Sequence, residues 1–293
     1  MHMAIDLGWK SAMDFMLKNG SKGVNINNAA FLNSAAMFNQ KEKVQILLEK
    51  GFNINAQNEF KHSPIHVATL FDHKDMVEYL IEKGADVNQR SNNGYSAIHL
   101  AVWNGKSQVI EVLLKNGAQV NQTVANDDTV LHKACAMGKT AIAQKLIEIG
   151  ANIDAINYSF YDQTPLHYAV HLNHVETVRM LLENEANIEC RNSQSLTPLH
   201  IAIIKNYESM TMTLLEFGAN VDVLNDFGFS TLRMTIKNGN LQIAKELLKC
   251  EINLDTRDVD SNNALEYCLK KKEKAFNICK MIAFHESIQH FEI

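Results

Sequence analysis

The chain has 293 residues, 46% of them hydrophobic and 21% charged, with a net charge of -5. That balance describes an ordinary folded chain and argues against a disordered or membrane-embedded one. Acidic and basic residues are interspersed, so no global field draws the chain to nucleic acid or anionic lipid. No apolar run reaches the roughly 18 residues needed to span a bilayer.

The first stretch, "MHMAIDLGWKSAMDFMLKNG", superposes without a gap on "IHVATLFDHKDMVEYLIEKG" further along. On that alignment the chain is expected to begin inside a repeating unit, with Met3 and Leu7 lacking an upstream neighbour unless the chain derives from a longer protein. It carries neither the basic start nor the apolar stretch of a signal peptide. The "NGSKG" of Asn19 to Gly23 reads as a helix end and loop. All three prolines then fall in one setting, "SPIH" at Ser63 and "TPLH" at Thr164 and Thr197. Taking the third letter of that tetrapeptide as phase zero gives Leu32, Ile65, Ile98, Leu131, Leu166, Leu199, Leu232 and Leu265. Successive gaps are 33, 33, 33, 35, 33, 33 and 33 residues. An apolar pair keeps the same beat, from Leu47-Leu48 through Leu113-Leu114 to Leu247-Leu248.

Each unit is punctuated in the same way. Ser or Thr, with Pro after it in three units, opens a first helix by supplying a capping hydroxyl and a preset φ. A break follows at Asn104-Gly105, Met137-Gly138 or Asn238-Gly239. A second helix, about Gln108 to Lys115 in one unit, stops at Gly117, which accepts the left-handed C-cap conformation. The turn-rich remainder, such as "AQVNQTVAND", reads as an extended finger. At the far end, "LKKKEKAFNICKMIAFHESIQHFEI" reads as a terminal amphipathic helix with Phe276, Ile278, Ile282 and Phe284 turned inward.

"GADVNQRSNNGYSAIHLAVWNG" and "TPLHYAVHLNHVETVRMLLENEANIE" resemble the ankyrin repeat over almost the whole chain. The resemblance implies an all-α repeat solenoid of antiparallel helix pairs with β-hairpin fingers, in which stacking supplies the core that no unit can bury alone. A single array over 1–293 is expected. Its divisions run 1–25 (partial), 26–58, 59–91, 92–124, 125–157, 158–192, 193–225, 226–258 and a degenerate cap at 259–293.

The stretch "TPLHYAVHLNH" places His167, His171 and His174 within two helical turns, and His167 and His171 at i,i+4 could hold zinc. The period removes that reading. His66, His99, His132, His167 and His200 occupy one slot just after phase zero, and His73 and His174 share another. The resemblance implies that the first set links the helix start to a neighbouring loop. Only His171 is out of pattern, and one histidine is not a metal site.

Other chemistry is sparse: HExxH, GxSxG, GxxxxGK[ST] and GxGxxG are all missing from the sequence. The five cysteines (Cys135, Cys190, Cys250, Cys268, Cys279) are odd in number and form no CxxC pair, which fits free thiols in a reducing compartment. Cys135 and Cys268 read as small buried hydrophobes. A catalytic Cys–His pair would have to be assembled by the tertiary fold. The chain reads as intracellular, cytoplasmic or nuclear, with no cofactor and no metal.

Function should reside in positions the period leaves free. Ankyrin-like arrays bind partners through finger tips and the exposed side of the first helix. On those positions stand Leu70, Phe71, Trp103, Met137 and His171 on first helices, and Phe60 and Tyr95 on fingers. Met37, Phe38, Leu172, Ile204, Leu196, Phe227 and Phe229 share these phases. The two extra residues fall in "DAINYSFYDQ", with Tyr158, Phe160 and Tyr161. Later units offer Lys205, Lys237, Lys270 and Lys271, which with Arg191 and Arg257 could attract an acidic segment. "LIEKGADVN" resembles the site of an asparaginyl hydroxylase, with Asn88 as acceptor.

The expectation is a non-enzymatic scaffold or adaptor that binds a partner protein in a groove. Narrower versions are the substrate-recognition part of a ubiquitin-ligase adaptor or a Rel-inhibitor-like regulator. An enzyme fragment, or a site assembled across repeats, is the competing class. A nucleic-acid binder rests only on the C-terminal lysines.

Overall fold

A computed structural model describes residues 29–258, 260–270 and 276–289. Met3, Leu7, the "NGSKG" loop and Lys271 lie outside the described residues. The chain divides into two compact units, residues 1–119 and 120–293. In the first, helices come in pairs: α1 (Ala30–Met37) with α2 (Lys41–Glu49), α3 (Pro64–Leu70) with α4 (Lys74–Glu82), and α5 (Ala97–Trp103) with α6 (Ser107–Lys115). In the second, α7 (Val130–Ala136) pairs with α8 (Thr140–Glu148), α9 (Pro165–His171) with α10 (Val175–Glu183), and α11 (Pro198–Ile204) with α12 (Glu208–Glu216). There α13 (Thr231–Asn238) and α14 (Leu241–Lys249), then α15 (Ala264–Lys270) and α16 (Phe276–Gln289), complete the set.

Within each unit first helices pack on first helices, and in the second unit second helices pack on second helices from α8 through to α16. This is the all-α repeat solenoid in two stretches. The phase-zero residues make the inner layer: Leu32, Ile65, Ile98, Leu131, Leu166, Leu199 and Leu232 are at most 1% exposed. Each such burial contributes about 1.5–3 kcal/mol. Most first helices have only seven residues, far below the length at which an isolated helix holds in water. Packing between repeats therefore decides their stability.

The ends are set locally. Ser63, Ser96, Thr129, Thr164 and Thr197 each form a reciprocal capping box with the histidine three residues on. Between paired helices one residue turns left-handed, among them Asp72, Gly105, Gly138 and Asn173. At Gly138 a Cβ would lie 2.7 Å from His174 Nδ1, so a side chain there would displace that ring. Second helices end on Gly51, Gly84, Gly117, Gly150 and Gly218, with φ between +81° and +92°. Glu185 fills the same slot in one repeat at φ +65°.

The fingers are tighter than β-hairpins. Among the described residues, bridge pairing is confined to Asn157 with Gln163 and Leu224 with Ser230. In several fingers an Asn side chain accepts from the amides at the tip. Asn58 Oδ1 accepts from Phe60 N and His62 N, and Asn192 and Asn225 repeat the pattern. The closing bond spans four residues in most fingers, as from Asn58 N to His62 O, but six from Asn157 N to Gln163 O. The two-residue insertion therefore sits within 158–162.

Two expectations about the C-terminal end are corrected. Cys268 on α15 is bonded to Cys279 on α16, with Cα atoms 5.5 Å apart, so these are not free thiols. Two adjoining helices bring together cysteines whose spacing carries no disulfide signature. On α16, Ile278 and Ile282 are buried, one turn apart on one face, whereas Phe276 and Phe284 are exposed. Two residues along a helix is about 200° of rotation, which puts both rings on the opposite side.

Candidate functional site

The histidine slot is structural. His66 Nδ1 accepts the Ser63 amide at 3.2 Å, so the proton sits on Nε2, which donates to Tyr95 O of the next finger at 3.1 Å. His132, His167 and His200 make the same pair of bonds, with Gln163 O, Leu196 O and Val223 O as acceptors. Burial holds the rings of His66, His167 and His200 neutral, with pKa pushed down to about 4. His73 and His174 instead reach back to Met37 O and Ala136 O in the preceding first helices. His171 is exposed on α9, with its pKa lowered by partial burial and by the charge of Lys205. Among the described residues no His, Cys, Asp or Glu group could hold a metal ion.

Asn88 is one of a series. Its Nδ2 donates to Gly117 O at 3.0 Å and its Oδ1 accepts from Gln119 N at 2.8 Å, stapling one repeat to the next. Asn55 and Asn121 do the same one repeat to either side in sequence, and Asp154, Glu189 and Asp222 keep the accepting half. This staple lies in the period of the sequence but is invisible until the partner amides are placed.

One cysteine does approach a histidine. Cys190 Sγ lies 3.5 Å from His167 Nδ1. Burial raises the thiol to about 12 and lowers the imidazole to about 4, so neither ionises near neutrality. His167 is already committed to Thr164 N and Leu196 O. The pair is packing, because a nucleophilic cysteine needs a lowered pKa. Cys135 is likewise buried, and its thiol is pushed up by desolvation.

The positions left free by the repeat gather on each unit separately. In the first unit, Trp103 is 43% and Phe71 46% exposed. The Tyr95 and Trp103 rings meet at 5.5 Å, Phe71 stacks on His73, and Phe60, 62% exposed, lies beside His62. Leu70 is half-buried. In the second unit, Met137 is half-buried while Leu172 and Ile204 are exposed.

The lengthened finger presents Phe160 and Tyr161 edge to face at 5.1 Å, both about half exposed. Asn157, fully buried, holds it by accepting the Phe160 amide and donating to Asp128, which also takes the Tyr168 hydroxyl at 2.7 Å. Tyr158, 75% exposed, stands apart.

Two neighbouring depressions complete the second surface. One of about 360 Å³ gathers Phe160, Tyr161 and His171 with Leu196, Ile204 and Lys205. The next, about 320 Å³, is formed by Leu196, Ile204, Phe227, Phe229, Met234 and Lys237. Gln194 touches both. Gln194 stands in a finger-tip phase, but its polarity hides it among the solvated residues of the sequence. Nothing in the period marks Met234. Of the other cations, Arg191 bonds Leu224 O, Arg257 pairs with Glu266, and Lys270 bonds Asn262.

A family model described as "Ankyrin repeats (3 copies)" matches residues 32–124, 122–192 and 199–291, and the chain belongs to the ankyrin-repeat family. Among solved structures it is similar to the human ASB11 ankyrin repeat domain. The identity is 29% and the TM-score 0.62, over 74% of this chain and 96% of that one. No curated protein matches the sequence significantly. Ankyrin repeats are generally protein–protein interaction modules and typically non-enzymatic. No described helix is long and apolar enough to cross a membrane.

Proposed function

We propose that the chain is a non-enzymatic scaffold that binds a partner protein through its finger tips and the exposed ends of its first helices. The observation that carries this is the gathering of large apolar side chains on positions that the fold does not require. Phe60, Phe71 and Trp103 stand exposed in one unit, Trp103 against Tyr95, and Phe160, Tyr161, Ile204 and Phe227 stand exposed in the other. Aromatic anchors of this kind dominate protein interfaces. A preformed surface also loses little ordering entropy on binding.

The test starts from the partner recovered with the chain from its native cell. Trp103→Ala and Phe71→Ala each weaken its binding by at least about 10-fold, with the thermal midpoint nearly unchanged. If both substitutions unfold the array, the residues belong to the core and the reading fails. Service as the recognition arm of a ubiquitin ligase, or as a Rel-inhibitor-like regulator, is a narrower proposal. Ligase subunits or a Rel factor among the recovered proteins would support the first or the second.

A further inference from the structure

The two adjoining depressions in the second unit deepen that reading, and the peptide site inferred from them rests on it. They share Leu196, Ile204 and Gln194, and each is lined by two consecutive fingers and two consecutive first helices. At about 320 and 360 Å³ they sit at the lower end of the range for small-molecule pockets, about 300–1,000 Å³. Each therefore suits a single large side chain.

They belong to consecutive repeats, and packed helices lie about 8–10 Å apart, so a separation of about that distance is expected between them. Alternate residues of a β-strand span only about 7 Å. A polyproline-type chain rises about 3.1 Å per residue with three residues per turn. Residues three apart on it span about 9 Å and face the same way.

The polar rim narrows the occupant further. Asn225 Oδ1 is already committed to the Phe227 and Phe229 amides, and Asn238 to Ile203 O. Gln194, Lys205 and Lys237 are exposed and have no side-chain hydrogen bond or carboxylate partner among the described residues. A carboxamide supplies both a donor and an acceptor, which is what a passing peptide unit needs. Two ammonium groups one repeat apart call for carboxylates at matching spacing. The geometry points to an acidic, extended segment of a partner protein, seating two apolar side chains three residues apart in these depressions. Its backbone lies against Gln194 and its carboxylates lie on Lys205 and Lys237.

A random-peptide phage library panned against the full chain tests this, with recovered peptides resynthesised as fluorescent probes. Recovered peptides should share two apolar residues three positions apart with Asp or Glu beside them. Ile204→Glu should weaken their binding by at least about 10-fold, and Lys205→Glu with Lys237→Glu by about 5-fold, less at high salt. All three residues are exposed, so the thermal midpoint should hold. Failure to recover peptides, recovery of basic or unpatterned ones, or indifference to the lysine changes overturns the inference. A single-stranded oligonucleotide competing through the same lysines overturns it too. Peptides that respond to Trp103→Ala and Phe71→Ala but not to Ile204→Glu would refute this site and leave the broader reading standing.

Discussion

The first helices containing His66, His132, His167 and His200 and those containing Arg233 and Glu266 solve one problem with opposite chemistries. In the former, a neutral imidazole ties the helix start to a carbonyl of the following finger. In the latter the same slot holds Arg233, which lies between the rings of Phe229 and Tyr267 at 4.1 and 4.3 Å and is ion-paired with Asp258 and Asp260. One repeat on, Glu266 accepts from the Asn263 amide and from Arg257. A buried neutral ring needs only two hydrogen bonds. A buried guanidinium needs counter-charges and aromatic faces to offset its desolvation. The slot thus demands a side chain that ties its helix to a finger, the following one for these histidines and Arg233 and its own for Glu266, and leaves its charge open.

The charged clamp is most vulnerable to mutation at Arg233. Its side chain is 11% exposed and that of Asp258 4%, so Arg233→Ala leaves a buried carboxylate without its counter-charge, held by the Asp260 and Asn262 N–H groups. The expected loss is about 3–5 kcal/mol, read in urea unfolding, with hydrogen exchange rising first over residues 231–270. A loss under about 1 kcal/mol would show the charged clamp to be dispensable.

Acid separates the two regions next. Folded His66, His167 and His200 titrate near 4 against 6.5 for the ordinary value, so the unfolded chain takes up protons first. The neutral clamps are at full strength above about pH 6.5 and weaken as the pH falls towards 4, by up to the order of 3 kcal/mol per ring. Arginine stays charged throughout that range. Hydrogen exchange, corrected for intrinsic rates, should therefore show residues 164–204 opening at pH 5 before residues 231–238. Simultaneous opening would refute the distinction.

The smallest effect belongs to Glu185, held at φ +65° where its counterparts are glycine. Glu185→Gly should stabilise by about 0.5–1 kcal/mol, seen as a rise of a few degrees in thermal midpoint.

Much of this was legible in the letters. The 33-residue beat located the helices, the Ser/Thr caps and the glycine stops, because each depends on residues a few positions apart. It also explained two of the three histidines in "TPLHYAVHLNH" as structural and set His171 aside. The candidate surface was half legible: Phe71, Trp103, Phe160 and Lys205 stand out as residues that the beat does not prescribe. The roles of Gln194, of Met234 and of the Asn88 series did not show, since their partners or neighbours lie about one repeat away in sequence.

By itself, then, the sequence determined the repeat, its register and the residues that cap and fill it, since those choices are made within a helical turn or by burial of one periodic face. Only the tertiary structure decided that Cys268 meets Cys279, that Phe276 and Phe284 turn outward, and that two lysines of the basic series keep no partner among the described residues. Each of those outcomes depends on which groups from other segments come within a few ångströms, and periodicity along one chain carries no information about that.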